Sequence, residues 1–475
     1  MRPNPARRAA ALGVAVAASA ACALTGVTPA AAATAPAEPV ITVHTPLPVA
    51  VPTTSSVAFQ QAVQPSLDLT TTASSLNAQA TLTIDARKVA KIATVTFSDN
   101  CTVHDYVASC SEMFFESGLT PTMGLGTVTQ MSLGPRKGVK PGASATYTVS
   151  GTADTAKITG ATGTVQAGGA AFDETQPANH TGLKVGSTVS EPIRFTNLGD
   201  RPATATEVGL VLSPGLEFAQ RYSNCHYSAA SGQVFEAALC TFPGTFRVGE
   251  TAELADQVKL KVESTAYYTY LDTVVAPQGD PSQSWLTGGR TWKQGTGKAL
   301  GLKVITAGHT TSAPPSTVQL AEAGSHGDYR ITSLQAVNTA DFAVTGASAK
   351  AAQGSTVKLS FSMVDHGPAT IYDRSGEGFG VKVTPPPGTT IVGSSAACQP
   401  YTEGDPTVTA HGPYECGTDY LVPAGHVWNF SLTLRVDQVI TGAKGSVAMD
   451  WSPQAGWRPP FDPNPKDDSA VLALN

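Results

Sequence analysis

Val258-Lys259-Leu260-Lys261-Val262 alternates apolar and polar residues without a slip, and Leu432-Thr433-Leu434-Arg435-Val436 does the same far downstream. Successive side chains of a strand point to opposite faces, so this period of two predicts strands with one face buried. Weaker versions run through Ala80 to Asp85, Ile92 to Phe97, Ala145 to Ser150, Ile193 to Phe195, Gly301 to Ile305, Asp328 to Leu334 and Val357 to Phe361. Turn signals fall between them every 8 to 12 residues or so, the spacing of an antiparallel sandwich. No long Glu/Lys/Leu-rich stretch of helical period interrupts the series. The expectation is an all-β chain with very little helix.

The alternating segments sit in a frame that occurs twice. Gly186-Ser187-Thr188-Val189 returns as Gly354-Ser355-Thr356-Val357, and eleven residues beyond each first glycine stands a turn former, Asn197 or Asp365. Each lies two positions before a glycine, Gly199 or Gly367, with Pro202-Ala203 or Pro368-Ala369 soon after. Pro214-Gly215 and Pro387-Gly388 follow, then ten residues to Cys225 and Cys398, and from Cys240 and Cys416 nine residues to Gly249 and Gly425. A period this long exceeds that of short solenoid units, about 20 to 50 residues, and signals tandem domains. Phe97 to Cys110 resembles the cysteine hairpin in compressed form, which makes the earlier region a degenerate copy or a cousin.

The boundaries expected are a processing segment over 1–33, a Pro/Ala/Thr-rich linker over 34–56 with an edge strand at Val40 to Val43, and a first sandwich over 57–169. A second follows over 170–309, with an insertion before a last strand at Gly301 to Ile305. Residues 310–337 read as linker plus a strand of unassigned ownership, and 338–475 as the third sandwich. The frame is similar to the conserved-repeat, immunoglobulin-like domains found in tandem in secreted and cell-surface proteins of actinomycetes and other bacteria. That resemblance implies tandem immunoglobulin-like antiparallel sandwiches used as spacers or adhesive modules, and it carries over no catalytic residues.

Targeting signals agree with an exterior location. Arg2, Arg7 and Arg8 make a basic start, Ala9 to Val27 an apolar run, and Ala30-Ala31-Ala32 a small-residue cleavage context, the three parts of a signal peptide. Cys22 raises lipid anchoring, but Ser19 stands where a lipobox carries Leu. Loss of the three arginines takes the formal charge of the 475-residue chain from -6 to -9. An acidic chain without a Lys/Arg stripe is a poor partner for nucleic acid or anionic membranes. No later apolar run is long enough for a transmembrane helix. Six of the seven cysteines remain after the signal and fall in close pairs, Cys101 with Cys110, Cys225 with Cys240, Cys398 with Cys416. In an oxidising compartment that distribution favours three local disulfides, although other pairings are formally open.

Chemistry is harder to find. No nucleophile elbow, zinc-binding His pair or phosphate-binding loop occurs. His366, His411 and His426 neighbour glycines and read as turn residues; Asp373 and Glu377 flank a glycine-rich loop and read as solvated. Asp462, Asn464, Asp467 and Asp468 form an oxygen-rich cluster, and calcium takes about six to eight oxygen ligands. Pro463 and Pro465 and the lack of a turn glycine argue instead for a terminal turn. Trp285 and Trp292, and Trp451 and Trp457, stand before the expected closing strands of the two copies. They are candidates for solvent-facing loops that bind a glycan or another extracellular protein, with core capping as the plainer reading. The expected function is a non-catalytic secreted binding, adhesion or spacer protein with no cofactor, its oligomeric state open. An extracellular hydrolase with its site in the second-domain insertion or the first domain is the alternative.

Overall fold

A computed structural model describes residues 38–46, 48–53, 63–117, 124–231, 235–280, 286, 290–320, 329–372, 379–402, 404–451 and 459–475. The expected signal segment therefore lies outside the described residues, as do Cys22, Trp285, Asp373, Glu377 and Trp457. The chain is tandem antiparallel sandwiches around three main apolar cores, centred on residues such as Leu82, Phe195 and Leu432. Among the described residues helix is confined to short pieces such as Pro406–His411, which Asp405 caps by accepting from the Thr407 and Val408 amides.

The third sandwich shows the plan most simply. One sheet runs Phe342–Thr345, Thr356–Asp365, Val427–Val436, Thr389–Ser394. The other runs Ala347–Ala349, Ser469–Leu474, Ala443–Met449, Gly380–Thr384, Tyr414–Gly417, Cys398–Pro400, with the first pair parallel. Leu432 and Leu434 point into the core and Arg435 outward, as the alternation requires.

The second sandwich repeats this order with local breaks. His180–Lys184 lies parallel to Tyr329–Val337, followed by Tyr268–Pro277, Ala203–Leu212, Glu236–Phe246 and Cys225–Ser228. Where the third sandwich has the continuous strand Thr356–Asp365, the second has Thr188–Glu191 and Arg194–Asn197. Pro192 sits in the gap, and a residue with no N–H cannot donate to the ladder there.

The first sandwich repeats the strand order of the disulfide-bearing sheet. Val49–Val51 is parallel to Ala161–Ala167, and Ser144–Ala153, Ser75–Asp85, Val107–Ser117 and Cys101–His104 follow in the same order. Opposite them Val40–His44 pairs with Leu67–Thr71, and that with Gly124–Val128. In this opposite layer the pairing has diverged, since Thr94–Phe97 and Met131–Gly134 pair apart from it and Lys157–Thr159 lies parallel beside Val40–His44.

Three sequence expectations need correction. Val40–His44 is no edge strand of a linker: it is hydrogen-bonded on both sides, with Ile41 and Val43 buried. The nearby prolines punctuate the segment without interrupting its apolar alternation. Gly301 to Ile305 does not close the second sandwich; Leu302–Thr306 instead extends the opposite sheet beside Thr251–Leu254, largely exposed. The closing strand is Tyr329–Val337, the one with no assigned owner, whose Thr332, Leu334 and Ala336 are buried. Finally, Ser316 and the residues up to Leu320 are no free linker, because they bridge to Ala203, Ala170 and Ala50.

Candidate functional site

The cysteines occupy one structural position three times. Cys101–Cys110, Cys225–Cys240 and Cys398–Cys416 are disulfides, each between directly opposed residues of the hairpin near one edge of a sheet. Their Cα atoms lie 4.0, 3.9 and 4.0 Å apart. Bridged sulfurs have no thiolate with which to attack a substrate.

Neither described tryptophan of the four candidates is a free-standing ring. Trp292 is half-buried against Val211, Ala237, Val274 and Leu286 on the outer face of the second sandwich. Trp451 is half-buried in an aromatic group, edge-on to Phe342 at 5.3 Å and to Phe379 at 6.0 Å, with its Nε1 3.5 Å from Asp468 Oδ2. For these two, the solvent-facing expectation gives way to capping, because a large ring beside an open sandwich end is drawn onto the apolar surface it can cover. His366 and His426 are exposed, and His411 lies 3.1 Å from the Thr389 carbonyl.

The oxygen-rich cluster is held together by its own hydrogen bonds. Asp462 accepts from the Phe342 and Asn464 amides, and the Asn464 side chain donates to Asp467 at 2.7 Å. Among the described residues no group of three or more His, Cys, Asp or Glu side chains is arranged to hold a metal. A turn that leads into the last strand describes the segment.

Two places where sandwiches meet are built with more care. At the first, Asp200 accepts from the Thr53 amide and hydroxyl at 2.9 and 2.7 Å and from the Gly169 amide at 2.8 Å. Its neighbour Arg201, only 5% exposed, donates to Gln166 of the first sandwich and to the Pro314 and Pro315 carbonyls, each at 2.8 Å. Ala50, Ala171, Val318 and Leu320 make a small apolar core in the same place. At the second junction Asn338 donates to the Ser264 and Ala266 carbonyls, both at 2.8 Å, and the Thr370 amide donates to Thr265 O. Tyr267 packs on Phe461 at 5.5 Å, and Phe235 on Tyr372 at 4.8 Å.

Each junction has a buried socket, and the turn formers of the repeat lie at their centres. Asn197 Oδ1 accepts from the Ala171 and Gly199 amides, at 3.1 and 3.0 Å. Asp365 Oδ1 accepts from the equivalent Asp341 and Gly367 amides, at 3.2 and 2.7 Å. Phe172 N faces Gln319 Oε1 at 3.4 Å as Phe342 N faces Asp462 Oδ2 at 3.3 Å. Where the second sandwich has Asn, Gln and Ala, the third has three aspartates. Sequence reading saw Asn197 and Asp365 only as turn residues; their matching positions in the repeat were the signal for more.

Other buried acids lie in the second sandwich. Burial pushes Glu174 and Glu191 up to about 7. Thr273 donates to Glu174 at 2.5 Å, and His180 Nε2 stands 3.0 Å from Glu191. None of these lines either of two described clefts: one of about 380 Å³ is lined by Lys350, Lys444 and the last residues, and one of about 180 Å³ by Phe242 to Phe246, Glu250 and Val304.

The fold and these sites define an all-β, disulfide-stapled tandem of immunoglobulin-like sandwiches. No protein-family model matches the chain, and no curated protein matches it. Solved structures it is similar to include the Escherichia coli adhesin FdeC, at 11% identity and a TM-score of 0.19, covering 92% of this chain and 96% of that one. The type II cohesin dyad of the ScaA scaffoldin from Acetivibrio cellulolyticus matches at 10% identity and a TM-score of 0.15, covering 60% and 88%. A chain described as BspA_C_WT matches at 8% and 0.17, covering 54% and 98%. Likenesses this distant do not superpose as whole chains, and no function is taken from them.

Proposed function

We propose that the protein is a non-catalytic extracellular module that binds or spaces at a bacterial cell surface, of the kind seen in actinomycete-type repeat proteins. The supporting observation is the investment in the junctions. Inter-domain contacts within a chain ordinarily leave domains free to move relative to one another. Here a buried arginine, a strap from Ser316 to Leu320 and a bonded asparagine tie each sandwich to the next. A spacer or adhesive module needs its ends held at a defined separation; a hydrolase needs a pocket. The ligand is an extracellular protein or glycan, and Trp285 and Trp457 are the first residues to test for its contacts.

The test is to immobilise the full chain and pass over it cell-wall glycan fragments and secreted proteins of the producing bacterium, with mass spectrometry of what elutes. Saturable binding that releases the ligand chemically unchanged supports the reading. Release of a cleaved ligand, dependent on the folded chain, refutes it in favour of the hydrolase.

A further inference from the structure

The residues at the centres of the two sockets, Asn197 and Asp365, differ at one atom in a way that has a consequence. Asn197, fully buried, uses its Nδ2 to donate to the Arg201 and Phe246 carbonyls at 3.1 and 3.3 Å. Asp365 is also fully buried and presents Oδ2 in place of that amide, and Oδ2 has no hydrogen-bond partner. A carboxylate oxygen cannot donate to a carbonyl; a protonated one can.

The surroundings also favour a proton. The charges that bear on Asp365 are the carboxyls of Asp462 and Asp341, one from the segment before the last strand and one from the lead-in to the first. Among the described residues no cation contributes, and His366, next in sequence, is exposed. Asp341 Oδ1 is likewise buried without a hydrogen-bond partner. Asp365 and Asp462 are buried and Asp341 half-buried, and like charges beside a buried carboxyl disfavour its ionisation.

The socket abuts the second junction. Phe461, beside Asp462, packs on Tyr267 and Tyr268 of the second sandwich, and its carbonyl accepts from the Ala340 amide, beside Asp341, at 2.9 Å. We propose that Asp341, Asp365 and Asp462 form a proton-operated latch on the junction between the second and third sandwiches. With the proton in place, Asp365 closes the socket as Asn197 does; without it, the buried charge on Asp365 repels Asp341, and the neighbouring bond from the Ala340 amide to the Phe461 carbonyl loosens. The first junction, built on amides and Arg201, has no such dependence and stays closed.

Burial, with the two neighbouring carboxyls pushing the same way, raises Asp365 from 3.8 to about 6. The folded state therefore keeps a proton that the unfolded chain has lost, and the latch is fully stabilised below 3.8 and weakens as pH rises through about 6. Each pH unit in that window changes the closed-to-open ratio by up to roughly tenfold.

Hydrogen exchange on the full chain tests this at the Ala340 and Thr370 amides, corrected for the intrinsic pH dependence of exchange. Wild type is expected to lose roughly tenfold or more in protection between pH 5 and 7.5, while Asp365→Asn keeps its protection at both. If Asp365→Asn does not fold, Asp341→Ala serves instead: removing one like charge should move the opening midpoint to lower pH. Equal wild-type protection at the two pH values overturns the latch, as does an unshifted midpoint in Asp341→Ala. Recovery of protection at pH 7.5 on adding millimolar calcium, reversed by chelation, would also overturn it, because the acids would then be serving a cation.

Discussion

Asn197→Asp should transplant the pH dependence of the third sandwich into the second. The substitution keeps shape and keeps Oδ1 for the Ala171 and Gly199 amides, but it replaces the Nδ2 donor that serves Arg201 O and Phe246 O. In acid the new carboxyl is protonated and can still satisfy one of those carbonyls. The expected loss there is one buried hydrogen bond, about 1 to 2 kcal/mol. As pH rises the folded state must hold the proton or bury a charge. Asp365, in the equivalent socket, is raised from 3.8 to about 6. At about 1.4 kcal/mol per unit, the same shift adds a penalty that levels off near 3 kcal/mol above pH 6. The variant should thus lose about 1 to 2 kcal/mol at pH 4 and about 4 to 5 kcal/mol at pH 7.5 relative to wild type. Because a multidomain chain need not unfold in one step, the assay is native-state exchange of the Ala171 and Gly199 amides at the two pH values. A loss of equal size at both would refute the reasoning, since it would mean that the amide matters for its shape and not for its donor.

Three further outcomes follow from the same geometry. Arg201→Ala leaves the Pro314 and Pro315 carbonyls and the Gln166 side chain without their donor, so the strap from Ser316 to Leu320 should open at a cost of about 2 to 4 kcal/mol, seen as faster proteolysis there. Trp451→Ala removes the ring packed edge-on against Phe342 and Phe379 and should lower the third sandwich's melting transition, by about 3 kcal/mol in stability; an unchanged melting curve would show that the ring does no structural work. Burial raises Glu191 from 4.5 to about 7, so the second sandwich loses stability as pH climbs through that window; Glu191→Gln should flatten the calorimetric pH profile and raise stability above pH 7 relative to wild type.

How much of this could be read from the chain depends on how local the signal is. Alternation over Val258 to Val262 and Leu432 to Val436 declared its strands, because a half-buried strand imposes period two on its own residues. The frame of glycines, prolines and cysteines declared the repeat for the same reason, each residue being needed where it stands. Strand ownership did not show. Gly301 to Ile305 and Asp328 to Leu334 look alike in isolation, and only the partner strands decide that one extends an outer edge while the other closes the sandwich. Proline-rich stretches misled in the opposite direction, since Val40–His44 and the strap from Ser316 to Leu320 gain their bonds from segments far off in sequence. The first sandwich lost the turn spacing that marks the other two, yet register between strands depends on which faces are apolar, and those were kept. The sockets were half legible: Asn197 and Asp365 stood at matching positions, but burial and a missing partner cannot be read from a turn motif.

The position of the disulfides explains why this part of the frame outlasted the rest. In each sheet the cysteine hairpin ends the ladder, with Cys101–His104 and Cys398–Pro400 at the edge and Cys225–Ser228 covered only by Lys293–Gln294. An edge strand is bonded on one side and is the first to fray or to slip. A bridge between opposed residues fixes the register at that point, and a slip of one residue would turn buried Cys240 and Cys416 toward solvent with their neighbours. The staple also acts before folding is complete: it closes a loop of 9, 15 or 18 residues, and the chain-entropy model gives such closures about 3 kcal/mol. Turns and linkers elsewhere can change length without harming the ladder. The turn of the hairpin changes length as well, but both cysteines stay opposite each other in every copy, and that opposition is the constraint the three sandwiches share.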